Sequence, residues 1–478
     1  MERVWYCHDQ EGVVAALKRG EWPDLATTMG CGPLDELVGL HEELGVFDAL
    51  DALPTQRQRR GVDDDLLLRT AAVLPFLETA SLSGAAGELF REPAILLHLG
   101  WSPLQIRIGD NERHRHPEGR QPGSLPCHPD TLRDVLRRVE EKAWLDVQRL
   151  GVRALFEHQR VRGRVYAIDG TGLGDGLRLV CLVCVSAERP VIVAWRLLAG
   201  SASEKGKEAA VTRSLIEQAV ELGGPGCIEL LLVDALYADG PLLAWLKYRH
   251  EIDTLVPIPS DREIHRDLQG LARAGMLEFR RHSYVRAIQG HKQRRTLDIS
   301  AQQATTSWDS FVEVARKYGD ENPFLWACLI SPVDPTDPDD KPWTLVSTRR
   351  WSSGVSAFQA FRPRWHIEND AYRELKEGWR LEAERWGRDI EVQRGRVTLT
   401  CLAFNTAQVY LSRSGARLAG RGIRRLRRHY HPQLGAAPVM IYIGHAYAVL
   451  PVEELLAIIG RPVSQSLLPP TLHPARPP

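Results

Sequence analysis

The sequence predicts an α/β protein: a mixed β-sheet flanked by helices, interrupted by a β-rich insertion, with a helical N-terminal domain. Three observations predict it. Residues 1–160 carry apolar positions at three-to-four spacing, the helical period. From about residue 161 that period gives way to β-rich runs divided by Gly, Ser and Pro turns. Helical stretches then alternate with near-continuously apolar runs, which read as strands buried on both faces.

At 478 residues the chain has room for two or three domains. Charged residues make up 26% and hydrophobic residues 44%, as in soluble globular proteins. Lys plus Arg and Asp plus Glu are both 61, so the formal net charge is +0. That balance argues against a globally basic nucleic-acid coat and leaves local basic surfaces open. The eight cysteines are scattered. Cys181 and Cys184 form a C-x-x-C inside the apolar run LVCLVCV, with no second pair at zinc spacing, and read as buried strand thiols. The start, MERVWYCHDQEG, has no hydrophobic signal region, and no apolar run is long enough to span a membrane. A cytoplasmic, reduced protein is expected.

In the first 160 residues, LDELVGLHEELGVFDAL and DDDLLLRTAAVLPFLETA read as helices. IGDNERHRHPEGRQPGSLPCHP reads as an exposed loop, and Asp130 or Thr131 as the cap of one following helix, TLRDVLRRVEEKAWLDVQRLGVRALFEH. Arg133, Arg137 and Arg138 on that helix make either a solvated face or a phosphate-contacting arm. GRVYAIDGTG, LRLVCLVCVSAE and PVIVAWRLLAG follow as three strands, the first two antiparallel neighbours. SEKGKEAAVTRSLIEQAVELG reads as a helix ending at Gly223-Gly224, IELLLVDALY as a fourth strand, PLLAWLKYRH as a helix and DTLVPIPS as a fifth strand. The order β-β-β-α-β-α-β describes a ribonuclease-H-like layer fold.

Residues 161–260 and 341–412 are therefore expected to form one catalytic domain, and 261–340 a β-rich insertion that begins strongly basic at Arg280, Arg281, Arg286, Lys292, Arg294 and Arg295. FLWACLI reads as a strand, SPVDPTDPDDKP as an acidic loop, and WTLVSTRRW as the lead into the next helix. Residues 413–478 are expected as a basic tail, with seven Arg and no acid from Arg413 to Arg428. Arg424 and Arg425 there, and Arg280, Arg281, Arg294 and Arg295 in the insertion, are candidate DNA contacts. The Pro-rich final residues are expected as a flexible end.

The chain is organised around FRPRWHIENDAYRELKE, Phe361 to Glu377. On an α-helix, Arg364, Glu368, Tyr372 and Lys376 would form one column, with Trp365 and Ile367 beside it. Upstream, VYAIDGTG and IELLLVDALY each carry one Asp in or at the end of an apolar strand, Asp169 and Asp234. If those strands are neighbours, the two carboxylates meet, and Glu368 completes the set from a helix. Three such groups suit two Mg²⁺ or Mn²⁺ ions about 4 Å apart, which stabilise charge on the attacking and leaving oxygens of phosphoryl transfer. Arg364 then holds a phosphate or orients Glu368, and Lys376 contacts the DNA backbone. Asp239, Glu204 and Glu374 read as helix caps or surface charges, and Pro363 as the start or kink of the helix.

DGT after an apolar strand, VDALY about 65 residues later and RW-x-IE-x-x-x-YRELK on a helix together resemble bacterial insertion-sequence transposases with a DDE domain. The closest subset carries its catalytic Glu in a Tyr-x2-Arg-x3-Glu-x6-Lys signature behind a β-strand insertion, and the likeness runs from about Tyr166 to Tyr410. The resemblance implies Asp169, Asp234 and Glu368 as catalytic metal ligands, with Phe361 in the signature's Tyr place and Arg364 in its Arg place. Phe361 lacks the hydroxyl, and Lys376 falls one residue beyond the expected place, which Leu375 occupies. It also implies cutting of terminal inverted repeats, joining of the 3′-hydroxyl to target DNA, a homodimeric synaptic complex and a nucleoid-associated protein of the bacterial cytoplasm. Three alternatives stand beside it: a ribonuclease-H-like nuclease without strand transfer, a domesticated non-catalytic DNA-binding protein, and a metalloprotein built on Cys181 and Cys184.

Overall fold

The computed structural model describes residues 7–28, 33–55, 61–77, 81–90, 92–102, 105–106, 126–203, 208–288, 291–333, 341–382, 386–413, 422–427 and 439–459. The chain divides into two compact units, Val152–Glu374 and Met1–Gly151 with Leu375–Pro478. It is an α/β protein with mixed sheets. Most of the loop expected at 108–129, Glu204, the middle of the acidic Pro-rich loop, much of the basic run beyond Arg413, and the final Pro-rich residues lie outside the described residues.

In the unit Val152–Glu374 the strands and helices are β1 (Val165–Gly174), β2 (Leu177–Cys184), β3 (Val191–Ala199), α1 (Thr212–Gly223), β4 (Leu230–Val233), α2 (Gly240–His250) and β5 (Asp253–Ile258). The insertion and the segment after it supply α3 (Glu263–Arg273), β6 (Phe279–Ile288), β7 (His291–Ser300), β8 (Gln303–Thr305), α4 (Asp309–Lys317), β9 (Leu325–Pro332), β10 (Trp343–Ser347) and α5 (Gly354–Phe361). These ten strands form one sheet in the order β3-β2-β1-β4-β5-β10-β9-β7-β6, with β8 paired to β9.

β1, β2 and β3 are antiparallel, whereas β4 runs parallel to β1 and β5 parallel to β4. A two-residue turn at Asp175-Gly176 joins β1 to β2, and both residues take positive φ there, as tight hairpins require. The parallel neighbours need helical crossovers, which α1 and α2 provide. Every residue of β4 is buried, so its apolar run covers both faces as the pattern predicts. The first and fourth strands are adjacent as expected. The insertion, by contrast, does not interrupt the sheet but extends it: β10 pairs with β5, and β9, β7 and β6 continue outward. Its hydrophobic rungs Leu297, Ile299, Cys328 and Ile330 are buried, and this apolar face makes it continuous with the core rather than a separate module.

The other unit has a helical core around Ile390–Arg413, in which residues Val392, Gln393 and Gly395 through Leu411 are buried. A helix buried all round must satisfy its polar side chains internally. Arg396 donates to the Arg380 carbonyl at 2.8 Å, and Thr406 meets His41 Nδ1 at 2.8 Å. Gly395 lets the helix approach Trp144, where a Cβ would stand 2.6 Å from the indole.

Three expectations about this unit change. The segment expected as one helix after the polar loop is two, Pro129–Arg137 and Glu141–Glu157, and the first is capped by His128 rather than Asp130 or Thr131. The front end is not wholly helical: Cys7–His8 and Leu25–Thr28 are strands. The expected tail contains a hairpin, Val439–Ile443 and Ala446–Leu450, that lies between those two strands in a four-stranded sheet. Ile441, Ala448 and Leu450 on that hairpin pack with Val13 and Leu17 of the first helix, which joins segments from the two ends of the chain in one small core.

Basic residues of the expected tail are spent differently. Buried Arg427 donates to the carbonyls of Pro75, Phe76 and Gly378 at 2.8, 2.8 and 2.6 Å. Arg424 donates to the Glu377 carbonyl at 2.7 Å, and Arg425 is exposed. Arg427→Ala should therefore destabilise the protein by about 3 kcal/mol in urea or thermal unfolding, because three buried carbonyls lose a charged donor. Arg425→Ala should shift it by no more than about 0.5 kcal/mol.

Candidate active site

β1 carries Asp169 in its interior, and β4 ends one residue before Asp234. The parallel register pairs Ile168 with Val233, so Asp169 and Asp234 are the next residues along neighbouring strands. Asp169 is buried, at 9% exposure, and its Oδ1 accepts from the Gly170 amide at 2.8 Å. Asp234 is half-buried and accepts from the Leu236 amide at 2.7 Å, capping the short turn Ala235–Tyr237. The strand-end cap and a ligand role are thus compatible at this residue, since one carboxylate oxygen stays free of that cap.

Glu368 reaches the same place by an irregular route. Ser353 and Ser356 form a reciprocal capping box that starts α5. Pro363 has no amide to donate, and the α-helix gives way there to a 3₁₀ turn, Arg362–Arg364. Beyond it the backbone widens into π-helix at Ile367–Tyr372 and again at Glu374–Gly378. The regular α-helix expected over this stretch is therefore replaced by turns of changing width, a feature frequent at functional sites.

Arg364 is buried, with Nη1 2.8 Å from Glu368 Oε1 and 3.8 Å from Asp169 Oδ2. Its guanidinium lies 5.2 Å from the Trp365 ring centre and 5.7 Å from that of Phe361. Phe361 is itself buried and packs 6.2 Å from the Trp343 ring, so the position works here as an apolar wall. Arg364 Nε is buried with no hydrogen-bond partner among the described residues.

Burial pushes the Asp169 carboxyl up to about 6. The Gly170 amide and the Arg364 guanidinium pull it down, while the charges of Asp234 and Glu368 push it up again. Asp169 thus feels the charges of both other predicted carboxylates. Because the folded value lies above the unfolded one, ionising Asp169 opposes folding: its protonated form favours the fold below about pH 4, and that advantage fades as pH rises to about 6.

Tyr372, four residues after Glu368, is a functional candidate that the sequence does not assign. Its ring is buried, and its hydroxyl donates to the Asp169 carbonyl and accepts from the Cys181 amide at 3.1 Å. The only sequence signal is its place in the Arg364–Glu368 column.

Other predicted residues stand elsewhere. Lys376 Nζ lies 3.5 Å from Glu382 Oε2. In the β6–β7 hairpin, Arg280 and Arg294 are exposed, Arg295 is half-buried, and Arg281 makes a two-pronged pair with Asp298 at 3.0 and 3.1 Å. The side chains of Arg286 and Lys292 lie outside the described residues. Arg133 donates to the Trp386 carbonyl at 2.7 Å and Arg137 to Asp389 at 3.0 Å, so both have intramolecular partners, while Arg138 is exposed. Asp239 caps α2 through the Leu242 amide at 3.0 Å, as expected. Cys181 and Cys184 are buried free thiols of β2.

Among the described residues, no group of three His, Cys, Asp or Glu side chains is placed to hold a metal ion as it stands. The donors that converge are all carboxylate oxygens, the set hard divalent cations select, and a guanidinium cation lies between two of them. Their chemistry therefore fits Mg²⁺ or Mn²⁺. Among the described residues, no helix is long and apolar enough to cross a membrane. Compared with known family models and with curated proteins, the chain matches none.

Asp169 should titrate near pH 6 in a carboxyl-resolved NMR experiment. Arg364→Met should move it upward and Asp234→Asn downward, because each removes the opposing charge effect.

Proposed function

We propose that the protein is a DDE-type DNA transposase, cutting element ends and joining the freed 3′-hydroxyl to target DNA. The observation that carries this reading is the convergence of Asp169 and Asp234, on adjacent parallel strands, with helix-borne Glu368. The strand order β3-β2-β1-β4-β5, antiparallel then parallel, supports a ribonuclease-H-like catalytic core. Asp169, Asp234 and Glu368 would hold Mg²⁺ or Mn²⁺, which supplies positive charge to the attacking and leaving oxygens of phosphodiester chemistry.

The remaining residues do work of their own. Arg364 offsets the negative charge of Asp169 and Glu368, which it faces at 3.8 and 2.8 Å. Phe361 and Trp365 flank the guanidinium, so it meets phosphate from a fixed direction. Exposed Arg280 and Arg294, on opposite faces of the β6–β7 hairpin, give a neutral chain separate exposed cations for DNA backbone, with Arg425 a further one. Terminal inverted repeats as substrate, a homodimeric synaptic complex and a cytoplasmic, nucleoid-associated location belong to the same reading.

The test is a metal-dependent assay of the full chain on DNA carrying the repeats that flank its coding region. Strand-transfer product is expected; cleavage alone would mark a nuclease, and neither activity would mark a DNA-binding protein. Asp234→Ala should lower cleavage by about 1,000-fold or more while DNA binding persists. Arg294→Ala should weaken binding to all sequences alike and reduce the salt slope by about 1, read from binding isotherms at several salt concentrations.

A further inference from the structure

We infer that Tyr372 is a positioning residue, which ties the Asp169-bearing strand to the Glu368-bearing turn and so sets the starting separation from which their carboxylates would close on a divalent cation. The inference rests on the proposed carboxylate site and adds a residue to it. Asp169 of β1 stands opposite Cys181 of β2 in the antiparallel register. The Tyr372 hydroxyl engages both members of that rung, donating to the Asp169 carbonyl and accepting from the Cys181 amide. Tyr372 belongs to the same π-helical turn as Glu368, Ile367–Tyr372. One oxygen therefore ties the backbone of one carboxylate to the turn that bears another.

The tie through Arg364 is looser. Glu368 is held by Arg364, whose long side chain allows its partner to pivot, and Arg364 lies 3.8 Å from Asp169. The Tyr372 ring is buried at 4% exposure, so the hydroxyl cannot trade its two backbone partners for water. A ring with few rotamers makes a stiffer strut than a guanidinium on a flexible stem. Groups that orient metal ligands from behind are commonly worth about 10- to 100-fold in metal affinity.

The experiment titrates Mn²⁺ alone into the full chain by calorimetry, for the unsubstituted protein, Tyr372→Phe and Asp234→Ala, with thermal melting in metal-free buffer alongside. Binding that Asp234→Ala removes, and that Tyr372→Phe weakens by about 10-fold or more with DNA affinity unchanged, is the expected result. If Tyr372→Phe lowers the melting temperature but binds Mn²⁺ within about twofold of the unsubstituted protein, the role is structural only and the inference is overturned alone. If Mn²⁺ binding is missing, or survives Asp234→Ala, the carboxylate-site reading is overturned and this inference with it. Should Tyr372→Phe fail to fold, 3,5-difluorotyrosine at position 372 keeps the ring and hydroxyl but makes the oxygen a poorer acceptor for the Cys181 amide. Several-fold weaker Mn²⁺ binding is then expected, and unchanged affinity overturns the inference.

Discussion

The burial of one acid, Asp169, beside the half-exposed carboxylates of Asp234 and Glu368 is the constraint on which the rest of this site depends. For Asp169 burial is the largest effect: with smaller contributions from the charges of Asp234 and Glu368, it outweighs the Gly170 amide and Arg364 and holds the carboxyl near 6. A chain tolerates such crowding only where surrounding structure over-determines the positions. Here β1 is paired on both sides, by β2 and by β4, and the flanking turn is tied to it through Tyr372. Buried Arg364 supplies the compensating charge, and it does so from between Asp169 and Glu368, in a site whose own donors are all anionic.

Much of this is legible in the sequence, and the reasons are physical. IELLLVDALY advertises a strand covered on both faces, because only such a strand can be apolar at every position, and β4 is buried throughout. The Asp at its end then marks the edge where chain leaves the sheet and a ligand can approach. VYAIDGTG carries its Asp after an apolar lead, and Asp169 lies where the strand turns it toward Arg364 and Glu368. Periodicity reports local environment, and both aspartates owe their position to local environment plus one strand pairing.

What periodicity does not report is partnership between distant segments. VMIYIGHAYAVL has apolar runs on either side of Gly444, whose φ is +62°, and is as clear a hairpin as any in the chain. It reads as tail because an arginine-rich run precedes it, and composition over a window dilutes a short strand signal. Its partners are Cys7–His8 and Leu25–Thr28, strands too short to announce themselves and defined only by what they pair with. The insertion shows the converse. Its strands are visible in the sequence, but that they continue the sheet through β10, the strand after the insertion, which pairs with β5, depends on a register set by residues far apart in the chain.

The widened turns after Pro363 bring the sequence and the backbone to the same point. Compared with the transposase signature it resembles, this chain has one residue more between Glu368 and Lys376. A residue added to an α-helix is commonly absorbed as a π turn, whose hydrogen bonds span five residues rather than four. Two such stretches occupy the interval, Ile367–Tyr372 and Glu374–Gly378. The irregular spacing and the irregular helix fall in the same interval. A strict four-residue column fails over this stretch because the helix carrying it is not an α-helix. Arg364 and Glu368, at the start of the interval, still meet at 2.8 Å because only four residues of chain have yet been laid down. Tyr372 closes that first wide turn, and it is there that its hydroxyl meets the β1–β2 rung.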